Sequence, residues 1–340
     1  MNYLVTGGLG FIGSHFIEHL LNRSETQSIL NIDKGSYAAN KNFRPADYRY
    51  KCLIEDIGNI NKKCDLIKEA SHFDVVINFA SHSHVDNSLE NPLSFLDNNI
   101  NSFFKFLEVC CAWQKAGKIG KLVHISTDEV YGDLTDSSKS VFDEESPLRP
   151  SSPYSSSKAA QEMFIHSFRK TYNLKANILR LSNNFGPRQH FEKFIPTIIL
   201  HALKNESIPI YGDGSQEREW MYVENCVKYI TQICHRETNF EDYCISDGTS
   251  VENLHMAYTI YNIVKRIANL PSAPIIEHVK DRLGHDKSYK LNCEKFKKDF
   301  QPCDHFNFNQ GLRKTVDHFF YNFLKSEVPL PHLAVTEGSF

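Results

Sequence analysis

The sequence predicts an α/β fold, a doubly wound parallel sheet covered by helices, with a smaller lobe at its C-terminal end. From Tyr3 to about Leu181, short β-branched or apolar runs alternate with longer segments of helical period, which is the pattern of a parallel sheet and its crossover helices. A glycine-rich turn directly after the first run supports this fold. Beyond Pro187 the pattern changes to proline-containing apolar segments and a polar stretch, which predicts a second unit.

Six strands are predicted in chain order, because each run is short, apolar and followed by turn residues or a helical pattern. They are Tyr3–Val5, Ile29–Ile32, Lys51–Ile54, Val75–Phe79, Lys121–Ser126 and Asn177–Leu181. Helices are predicted where apolar residues recur three or four positions apart. These segments are Ile12–Leu21, Ile100–Cys110, the stretch that follows Pro153, and Gln310–Leu324.

The domain boundaries follow from these changes in pattern. Residues 1–187 are predicted to form the sheet domain, which also carries the catalytic residues. Residues 188–325 are predicted to form a substrate-binding lobe, and the return of one of its segments to the sheet is left open. Residues 326–340 are predicted to be a loosely held tail. With 340 residues and 41% hydrophobic content, the chain is long enough for two units with a large buried core.

Charge and cysteine usage exclude several classes of protein. A formal net charge of -3 without a basic patch predicts no binding to nucleic acid or to a membrane surface. The nine cysteines are odd in number and form no CxxC pair, so we expect neither a disulfide framework nor a metal site. Met1 leads directly into an apolar run, and no segment reaches the roughly 18 apolar residues of a membrane helix, so we expect a soluble cytoplasmic protein.

A dinucleotide site is predicted at the first turn, TGGLGFIG at residues 6–13. Gly7 permits the tight turn, Gly10 lets a pyrophosphate approach the backbone, and Gly13 lets the helix pack close to its strand. The helix N-terminus favours the anionic phosphates. Asp33 ends the second strand, where an acid binds both ribose hydroxyls and repels a 2′-phosphate. This Rossmann-type site is therefore predicted to bind NAD rather than NADP, a choice that the neighbouring Lys34 weakens.

Two groups of polar residues are candidates for catalysis. Tyr154 and Lys158 lie four residues apart in a predicted helix, so both lie on one helix face, where the lysine charge is expected to lower the pKa of the phenol. Thr127, Asp128 and Glu129 end the fifth strand, and the carboxyl ends of parallel strands face the ligand crevice. Two adjacent carboxyl groups divide acid and base roles when their pKa values differ. For each group, a solvent-exposed helix face or turn is the alternative explanation.

Seven sequence motifs carry a family resemblance that spans nearly the whole chain. They are VTGGLGFIGSHF at Val5–Phe16, SHVDNS at Ser83–Ser88, HISTDEVYGD at His124–Asp133, SSPYSSSKAA at Ser151–Ala160, LSNNFGPRQHFEKFIP at Leu181–Pro196, PIYGDGSQEREWMYVEN at Pro209–Asn225 and DRLGHDKSY at Asp281–Tyr289. With these motifs the chain resembles the extended short-chain dehydrogenase/reductase superfamily and, within it, the nucleotide-sugar 4,6-dehydratases. The glycines and the Tyr-x-x-x-Lys pattern mark only the superfamily, whereas the Asp-Glu pair distinguishes the dehydratases.

The resemblance implies a hydro-lyase that converts a nucleoside diphosphate glucose, dTDP-glucose first, to the 4-keto-6-deoxy sugar and water. Tyr154 would take the proton of the 4-hydroxyl, with Lys158 beside the phenolate and the nicotinamide ribose. Glu129 would remove the C5 proton while Asp128 protonates the departing 6-hydroxyl, and Thr127 would hydrogen-bond the oxygen at C4. NAD would be held tightly and regenerated in each turnover.

The resemblance also implies binding residues and an assembly. The expected cofactor-binding residues are Gly7, Gly10, Phe11, Ile12, Gly13, Asp33, Lys34, Asp56, Ile57, Ala80, Tyr154 and Lys158. The expected substrate-binding residues are His84, Asn183, Lys193, Arg218, Arg282 and His285. Similar enzymes form homodimers through the helix at residues 100–113 and the helix after Tyr154, where Phe103, Phe106 and Trp113 are candidates for either the interface or the core.

Several alternatives stay open at this point. Ser81-His82 stands where relatives usually carry Ala-Glu, and Cys244 lies in a segment that differs from the common pattern, so a UDP-glucose 4,6-dehydratase is the first alternative. An NAD-dependent nucleotide-sugar epimerase or decarboxylase of the same fold is the second, and a non-catalytic NAD-binding regulator is the third. The sequence does not decide between thymine and uracil, because one methyl group contributes only ~1–3 kcal/mol in a pocket.

Overall fold

The structure is a computed structural model that describes residues 1–60, 72–136, 140–236, 239–270, 273–300 and 304–325. Within these residues the strands are β1 (Asn2–Thr6), β2 (Ser28–Asp33), β3 (Tyr50–Ile54), β4 (Phe73–Asn78), β5 (Ile119–Thr127), β6 (Ala176–Leu181), β7 (Asn183–Phe185), β8 (Ile208–Tyr211), β9 (Glu217–Tyr222), β10 (Asp242–Ile245), β11 (Thr249–Glu252) and β12 (Ile276–Val279). The α-helices are α1 (Phe11–Leu21), α2 (Val85–Glu90), α3 (Pro92–Phe95), α4 (Phe103–Lys115), α5 (Pro153–Tyr172), α6 (Phe194–Lys204), α7 (Val223–His235), α8 (Asn253–Ala268), α9 (Glu294–Asp299) and α10 (Phe308–Lys325).

The predicted doubly wound parallel sheet is confirmed. Strands β1 to β6 correspond to the six predicted strands, and together with β10 they form one sheet in the order β3-β2-β1-β4-β5-β6-β10. Every neighbouring pair in this sheet is parallel. The chain runs from β1 toward β3 on one side and from β4 toward β6 on the other. The crevice at the carboxyl ends of β1 and β4 is therefore the switch point at which ligands bind in such sheets.

The central strands are apolar on both faces because helices cover both. On one face Val5 packs with Phe16 of α1, and on the other face Leu4 packs with Phe103 of α4. Side chains of successive strand residues point to opposite faces, so each strand contributes to both layers of the core. None of the helices in the described part of the chain has the length and apolar character to span a membrane.

The helix predicted over Ile100–Cys110 has a different form in the structure. Residues Leu96–Ser102 make a π-helix that continues directly into α4. Because π-helical turns bulge out of the regular ladder, they often occur at functional sites. Phe103 and Phe106 are fully buried in the core of their own chain, so they cannot form the dimer contact considered for them, whereas Trp113 stays partly exposed.

Residues beyond 187 form two small sheets, one of which also includes β7, and return to the large sheet. The small sheets have the orders β11-β9-β7 and β12-β8. Strand β10 comes from the polar stretch at residues 236–253, yet it pairs with β6 at the edge of the large sheet. Four residues, Asp-Tyr-Cys-Ile, are too short for the periodicity that revealed the other strands. The predicted tail at residues 326–340 lies outside the described residues.

A buried ion network joins β6, β10 and helix α5. Arg180 donates to Glu162 Oε2 from Nε at 3.0 Å and from Nη2 at 2.8 Å, and Nη2 also lies 3.2 Å from Asp242 Oδ2. Nη1 donates to the Tyr131 hydroxyl at 2.8 Å, and the Ser126 hydroxyl donates to the other oxygen of Glu162. The network therefore fixes the helix that carries Tyr154 and Lys158 against the sheet.

Replacing Arg180 by methionine is expected to lower the free energy of unfolding by about 3–5 kcal/mol, because the Glu162 carboxylate would stay buried without its cation. Urea unfolding followed by circular dichroism measures this change. The double variant Arg180→Met/Glu162→Leu should recover part of the loss, since neither charge then remains in the core. A loss below about 1 kcal/mol in the single variant would show that the network adds little to stability.

Candidate active site

The glycine-rich turn at residues 7–13 has the close approaches that its sequence predicts. Gly7 has φ +73°, and a Cβ atom there would lie 2.5 Å from the backbone nitrogen of Ala80. A Cβ atom on Gly13 would lie 2.4 Å from the carbonyl oxygen of Gly7, so α1 packs directly on the turn. Helix α1 begins with Gly10 as its N-cap, and no side chain caps it. Its first N–H groups therefore point toward the groove, where a phosphate would find donors.

Acidic residues from the next two strand ends border this groove. The two oxygens of Asp33 accept hydrogen bonds from the backbone N–H groups of Leu9 at 2.9 Å and Gly35 at 2.8 Å. Burial raises the pKa of Asp33. Asp56 caps a short 3-10 helix by accepting from the Gly58 N–H at 2.7 Å. Each ionised carboxylate has about four lone-pair sites, so both retain capacity for a ligand hydroxyl or amine.

One continuous cavity brings together the predicted cofactor and catalytic residues. It is lined by all twelve predicted cofactor residues and by Thr127, Asp128 and Glu129, in addition to Tyr154 and Lys158, which belong to both groups. The cavity runs from the turn at the end of β1 past the end of β5 to the segment before α6. No group of three metal-ligating side chains occurs among the residues that the structure describes.

The two adjacent carboxyl groups have different surroundings. Asp128 is 1% exposed, and burial together with the nearby Glu129 raises its pKa well above the usual range. Its Oδ1 accepts from the Thr127 hydroxyl at 3.1 Å, whereas Oδ2 is buried without a hydrogen bond. Burial also raises the pKa of Glu129, but Arg282, Arg218 and Lys193 act in the opposite direction. Asp128 is thus suited to be the neutral acid and Glu129 the charged base.

The expected effect of Lys158 on Tyr154 is not observed. Burial and the Glu129 carboxylate raise the pKa of Tyr154, and a hydrogen bond with Thr127 is the influence that lowers it. The Lys158 amine donates to the Ile125 carbonyl at 2.7 Å and lies 3.4 Å from His124 Nε2. Burial lowers the pKa of Lys158 to about 7. The expectation was wrong for this structure because it considered charge and omitted the desolvation of both groups.

Two of the six predicted substrate residues line the cavity. Asn183, at the start of β7, has a buried Oδ1 without a hydrogen-bond partner. Lys193 is the N-cap of α6, and its amine donates to the Ser83 carbonyl at 2.7 Å. Both therefore present polar atoms at the cavity wall, and Lys193 is near enough to Glu129 to lower the pKa of that carboxyl group.

The other four predicted substrate residues do not line the cavity. His84 caps α2, since its Nδ1 accepts from the Asn87 N–H at 3.3 Å. Arg218 donates to backbone carbonyls, including that of Asp286 at 2.8 Å, and stacks on a tyrosine ring. Arg282 and His285 lie beside acids, with an Arg282 Nη1 to Asp86 Oδ1 distance of 3.8 Å. His285 contacts Asp281 at 2.6 Å. Both arginines are nevertheless close enough to act on the pKa of Glu129.

Sequence reasoning missed several lining residues, of which His82 is the most informative. It was noted only as a departure from the common pattern, yet its ring lies between Tyr37 and Phe95 at the cavity wall. Burial lowers the pKa of His82 to about 4, so the ring is neutral. Its backbone N–H and carbonyl are both bonded to the Asn99 side chain, at 2.8 and 3.0 Å. That departure from the pattern was the signal that could have identified it.

The cavity and fold agree with comparisons to known proteins. A family model described as GDP-mannose 4,6 dehydratase matches residues 4–315. The dTDP-glucose 4,6-dehydratase of Haemophilus influenzae is 38% identical over 338 residues, which cover 95% of this chain and 98% of that protein. The crystal structure of dTDP-glucose 4,6-dehydratase from Streptomyces venezuelae with NAD and TYD bound matches with a TM-score of 0.84 and 31% identity, covering 95% of this chain and 98% of that one. UDP-glucuronic acid 4-epimerase from Bacillus cereus, in complex with UDP-glucuronic acid and NAD, matches with a TM-score of 0.83 and 26% identity, covering 95% of this chain and 100% of that one.

Proposed function

The chain belongs to the GDP-mannose 4,6 dehydratase family of extended short-chain dehydrogenases, and from this we propose that it is an NAD-dependent hydro-lyase acting on dTDP-glucose. The product is the 4-keto-6-deoxy sugar nucleotide, and water is the second product. One observation carries the proposal: the fully buried Asp128, whose raised pKa favours the neutral acid, lines one cavity with Tyr154 and with Glu129, on which three cations act in favour of the charged form. Epimerization at C4 has no water to eliminate, and therefore no need for such an acid and base pair.

The residues that line the groove are suited to bind NAD. The N–H groups at the start of α1 would hold the pyrophosphate, at a turn where any Cβ on Gly7 or Gly13 would collide with backbone. Asp33 and Asp56 would hold the adenosine ribose and the adenine, and Asp33 disfavours the 2′-phosphate of NADP. When bound, NAD accepts a hydride from C4 of the sugar and returns a hydride to C6.

In the oxidation step, the phenolate form of Tyr154 takes the proton of the 4-hydroxyl. Burial and the Glu129 carboxylate disfavour this form, whereas the positive charge of a bound nicotinamide ring would favour it. Lys158 lies one helical turn away and presents its amine at the same cavity wall. The Thr127 hydroxyl donates to Asp128 in the structure and bonds Tyr154, and with substrate bound it would turn to donate to the oxygen at C4 as that oxygen becomes a ketone. The ketone then makes the C5 proton acidic enough for a carboxylate to remove.

In the elimination step, Glu129 takes the C5 proton while Asp128 gives its proton to the departing 6-hydroxyl. The C5–H and C6–O bonds break, the C5–C6 double bond forms, and water leaves. Glu129 then returns its proton to C5. At this point Tyr154 has gained a proton and Asp128 has lost one, so a proton must pass from Tyr154 to Asp128 before the next turnover. The Thr127 hydroxyl, which bonds both groups, offers the path for that transfer.

Positive charge near Glu129 suits the diphosphate of the substrate. Lys193, Arg218 and Arg282 all act on the pKa of Glu129, and Arg218 contacts carbonyls rather than carboxylates, so its charge is not neutralised locally. Arg282 Nε is buried without a hydrogen-bond partner. We assign Lys193 and Asn183 to direct contact with the diphosphate, and Arg218 and Arg282 to the positive charge that attracts it from outside the cavity lining. His84 and His285 support that site through α2 and Asp281.

The same proposal includes a cytosolic homodimer. Leu93, Leu96 and Met163 are 71%, 45% and 50% exposed near helices α4 and α5. Phe104 and Phe164 make an edge-to-face contact, with ring centroids 5.0 Å apart, at the partly exposed boundary of the same two helices. A second copy would cover this apolar surface. The seven cysteines of the described residues are all free, which suits a reducing compartment.

Incubation of the purified protein with dTDP-glucose, and separately with UDP-glucose, tests the function. We expect loss of one water from dTDP-glucose, seen by mass spectrometry and by the alkaline absorbance of a 4-keto sugar. A faster reaction with UDP-glucose would reassign the nucleotide and keep the reaction. If neither loses water while either is epimerised, the dehydratase proposal is wrong and the epimerase alternative replaces it.

A further inference from the structure

A row of polar side chains crosses the buried interior of the sheet beneath Lys158. Thr6 pairs in register with Asn78 on the next strand, and Asn78 pairs with His124 on the strand after that. The Thr6 hydroxyl donates to Asn78 Oδ1 at 2.5 Å, and Asn78 Nδ2 lies 3.1 Å from His124 Nδ1. All three residues are 0% exposed. Polar groups in such a position are costly to bury unless they satisfy one another.

The row continues to the catalytic helix and ends on a backbone carbonyl. Gln161 of α5 is 0% exposed, and its Nε2 donates to the Asn99 carbonyl at 2.6 Å. Its Oε1 has no hydrogen bond of standard geometry, but it acts as an acceptor on the His124 ring and raises the pKa of that ring. These side chains therefore lie in one row from Thr6 to the Asn99 carbonyl, and the step from His124 to Gln161 is a close approach without a hydrogen bond of standard geometry.

The direction of every hydrogen bond on this path follows from its last member. A backbone carbonyl only accepts, so the Gln161 amide must turn its nitrogen to Asn99 and its oxygen to His124. His124 Nδ1 faces Asn78 Nδ2, so Nε2 is the ring nitrogen left to donate toward the Gln161 oxygen, and it then carries the proton. Nδ1 is then the acceptor for Asn78 Nδ2, and Asn78 Oδ1 accepts from Thr6. The short contact at Thr6 agrees, since 2.5 Å is the range of an O–H donor and too short for an N–H donor.

We propose that Gln161 and His124 are positioning residues that set the charge of Lys158, because the chain of hydrogen bonds turns an N–H group of His124 toward the lysine amine. His124 Nε2 lies 3.4 Å from Lys158 Nζ and, once protonated, offers it no lone pair. Among the residues that the structure describes, an ammonium there has the Ile125 carbonyl as its one fixed acceptor, whereas a neutral amine is compatible with the neighbouring N–H. The inference rests on the proposed function only in taking Lys158 as a cofactor-binding and catalytic residue.

The charged and titratable groups around this path are consistent with the proposal. Glu162, one turn further along α5, favours the charged form of Lys158, and burial opposes it more strongly, so the pKa falls to about 7. The pKa of His124 is lowered well below its usual range by burial and by the charges of Lys158 and Arg169. A neutral His124 with its proton on Nε2 is therefore the resting form.

Competitive acetylation of Lys158 tests the inference without using substrate. The full-length protein, as purified and after removal of bound nucleotide, is treated with trace acetic anhydride from about pH 5 to about pH 10, and the Lys158 peptide is quantified by mass spectrometry. Gln161→Met frees the His124 ring to reverse its tautomer and to offer Nε2 to an ammonium. In this variant we expect the pH midpoint of Lys158 acetylation to rise by about one pH unit. If methionine acted only by making the surroundings of Lys158 more apolar, the acetylation midpoint of Lys158 would fall or stay unchanged.

Two controls and one independent measurement complete the test. Thr6→Val removes a hydrogen bond at the opposite end of the path and should leave the midpoint unchanged, as should Met163→Leu on the exposed face of α5. An unmoved midpoint in Gln161→Met overturns the proposal, and so does an equal rise in Thr6→Val. If Gln161→Met does not fold, nitrogen NMR of the ¹⁵N-histidine-labelled wild type decides, with the His124 signals identified by their loss in His124→Gln. A proton on Nδ1 instead of Nε2 refutes the assignment.

Discussion

Glu129→Gln is expected to lower turnover by about 10²–10⁴-fold, because it removes the base that takes the C5 proton. Oxidation at C4 does not need that base, so mixing the variant with dTDP-glucose should produce absorbance near 340 nm from reduced cofactor that persists. The amide has nearly the shape of the carboxylate, so the three cations around residue 129 lose their counter-charge with little change in packing. Retention of full turnover would show that Glu129 is not the base.

Solvent exchange separates the two carboxyl groups. In deuterated water, Asp128→Asn keeps the base and loses the acid, so sugar recovered from this variant should gain deuterium at C5 although it does not lose water. Glu129→Gln should show no such exchange. Glu145→Gln, which changes an exposed carboxylate outside the cavity, serves as the control and should retain turnover within a few-fold. If the exchange results of the two variants are reversed, the acid and base assignments must be exchanged as well.

Tyr154→Phe is expected to lower turnover by about 10³-fold or more, since the proposed mechanism has no other group that takes the proton of the 4-hydroxyl. The variant should differ from Glu129→Gln in one visible respect: no absorbance of reduced cofactor should appear, because the reaction stops before hydride transfer. Rapid mixing with dTDP-glucose, followed by absorbance and by product analysis, measures both properties.

The contrast with Thr127→Val sharpens the assignment of Tyr154. Loss of the Thr127 hydroxyl removes the hydrogen bond that lowers the pKa of Tyr154. If the phenolate is the active form, the activity of Thr127→Val should recover as pH rises, whereas that of Tyr154→Phe should stay low at every pH. Equal pH profiles in the two variants would contradict the role of the phenolate.

Much of the sheet and of the candidate site could be predicted from the sequence because local rules determine them. The turn at Gly7 needs a left-handed residue and no Cβ, and that requirement is visible in the glycines themselves. Asp128 and Glu129 follow directly from an apolar strand, and a parallel sheet delivers such residues to its crevice. These features depend on a few neighbouring residues, so a pattern of neighbours is enough to reveal them.

Features that depend on distant parts of the chain were not predicted. The pKa of Tyr154 depends on burial by several elements and on Glu129, so the Tyr-Lys spacing alone led to the wrong direction. Arg218 has the residue type of a phosphate ligand, but three carbonyl contacts and the Tyr289 ring define its place. The Asn99 side chain, which belongs to a π-helix, hydrogen-bonds to the backbone of His82 and holds it at the cavity wall. No short sequence pattern predicts that contact.

The placement of β10 has a consequence for how the chain is made and how it can be divided. A nascent chain that ends at Pro187 already contains Tyr154, Lys158 and the whole glycine turn, but β6 still has an open edge, and the Arg180 guanidinium lacks Asp242. The sheet is completed only after residues 242–245 have left the ribosome and paired with β6. A fragment that ends at residue 187 would therefore expose the unpaired edge of β6, which is prone to aggregation. In a chimera that exchanges the second lobe between relatives, β10 would have to come from the same protein as the large sheet, although its neighbours in sequence belong to the exchanged lobe.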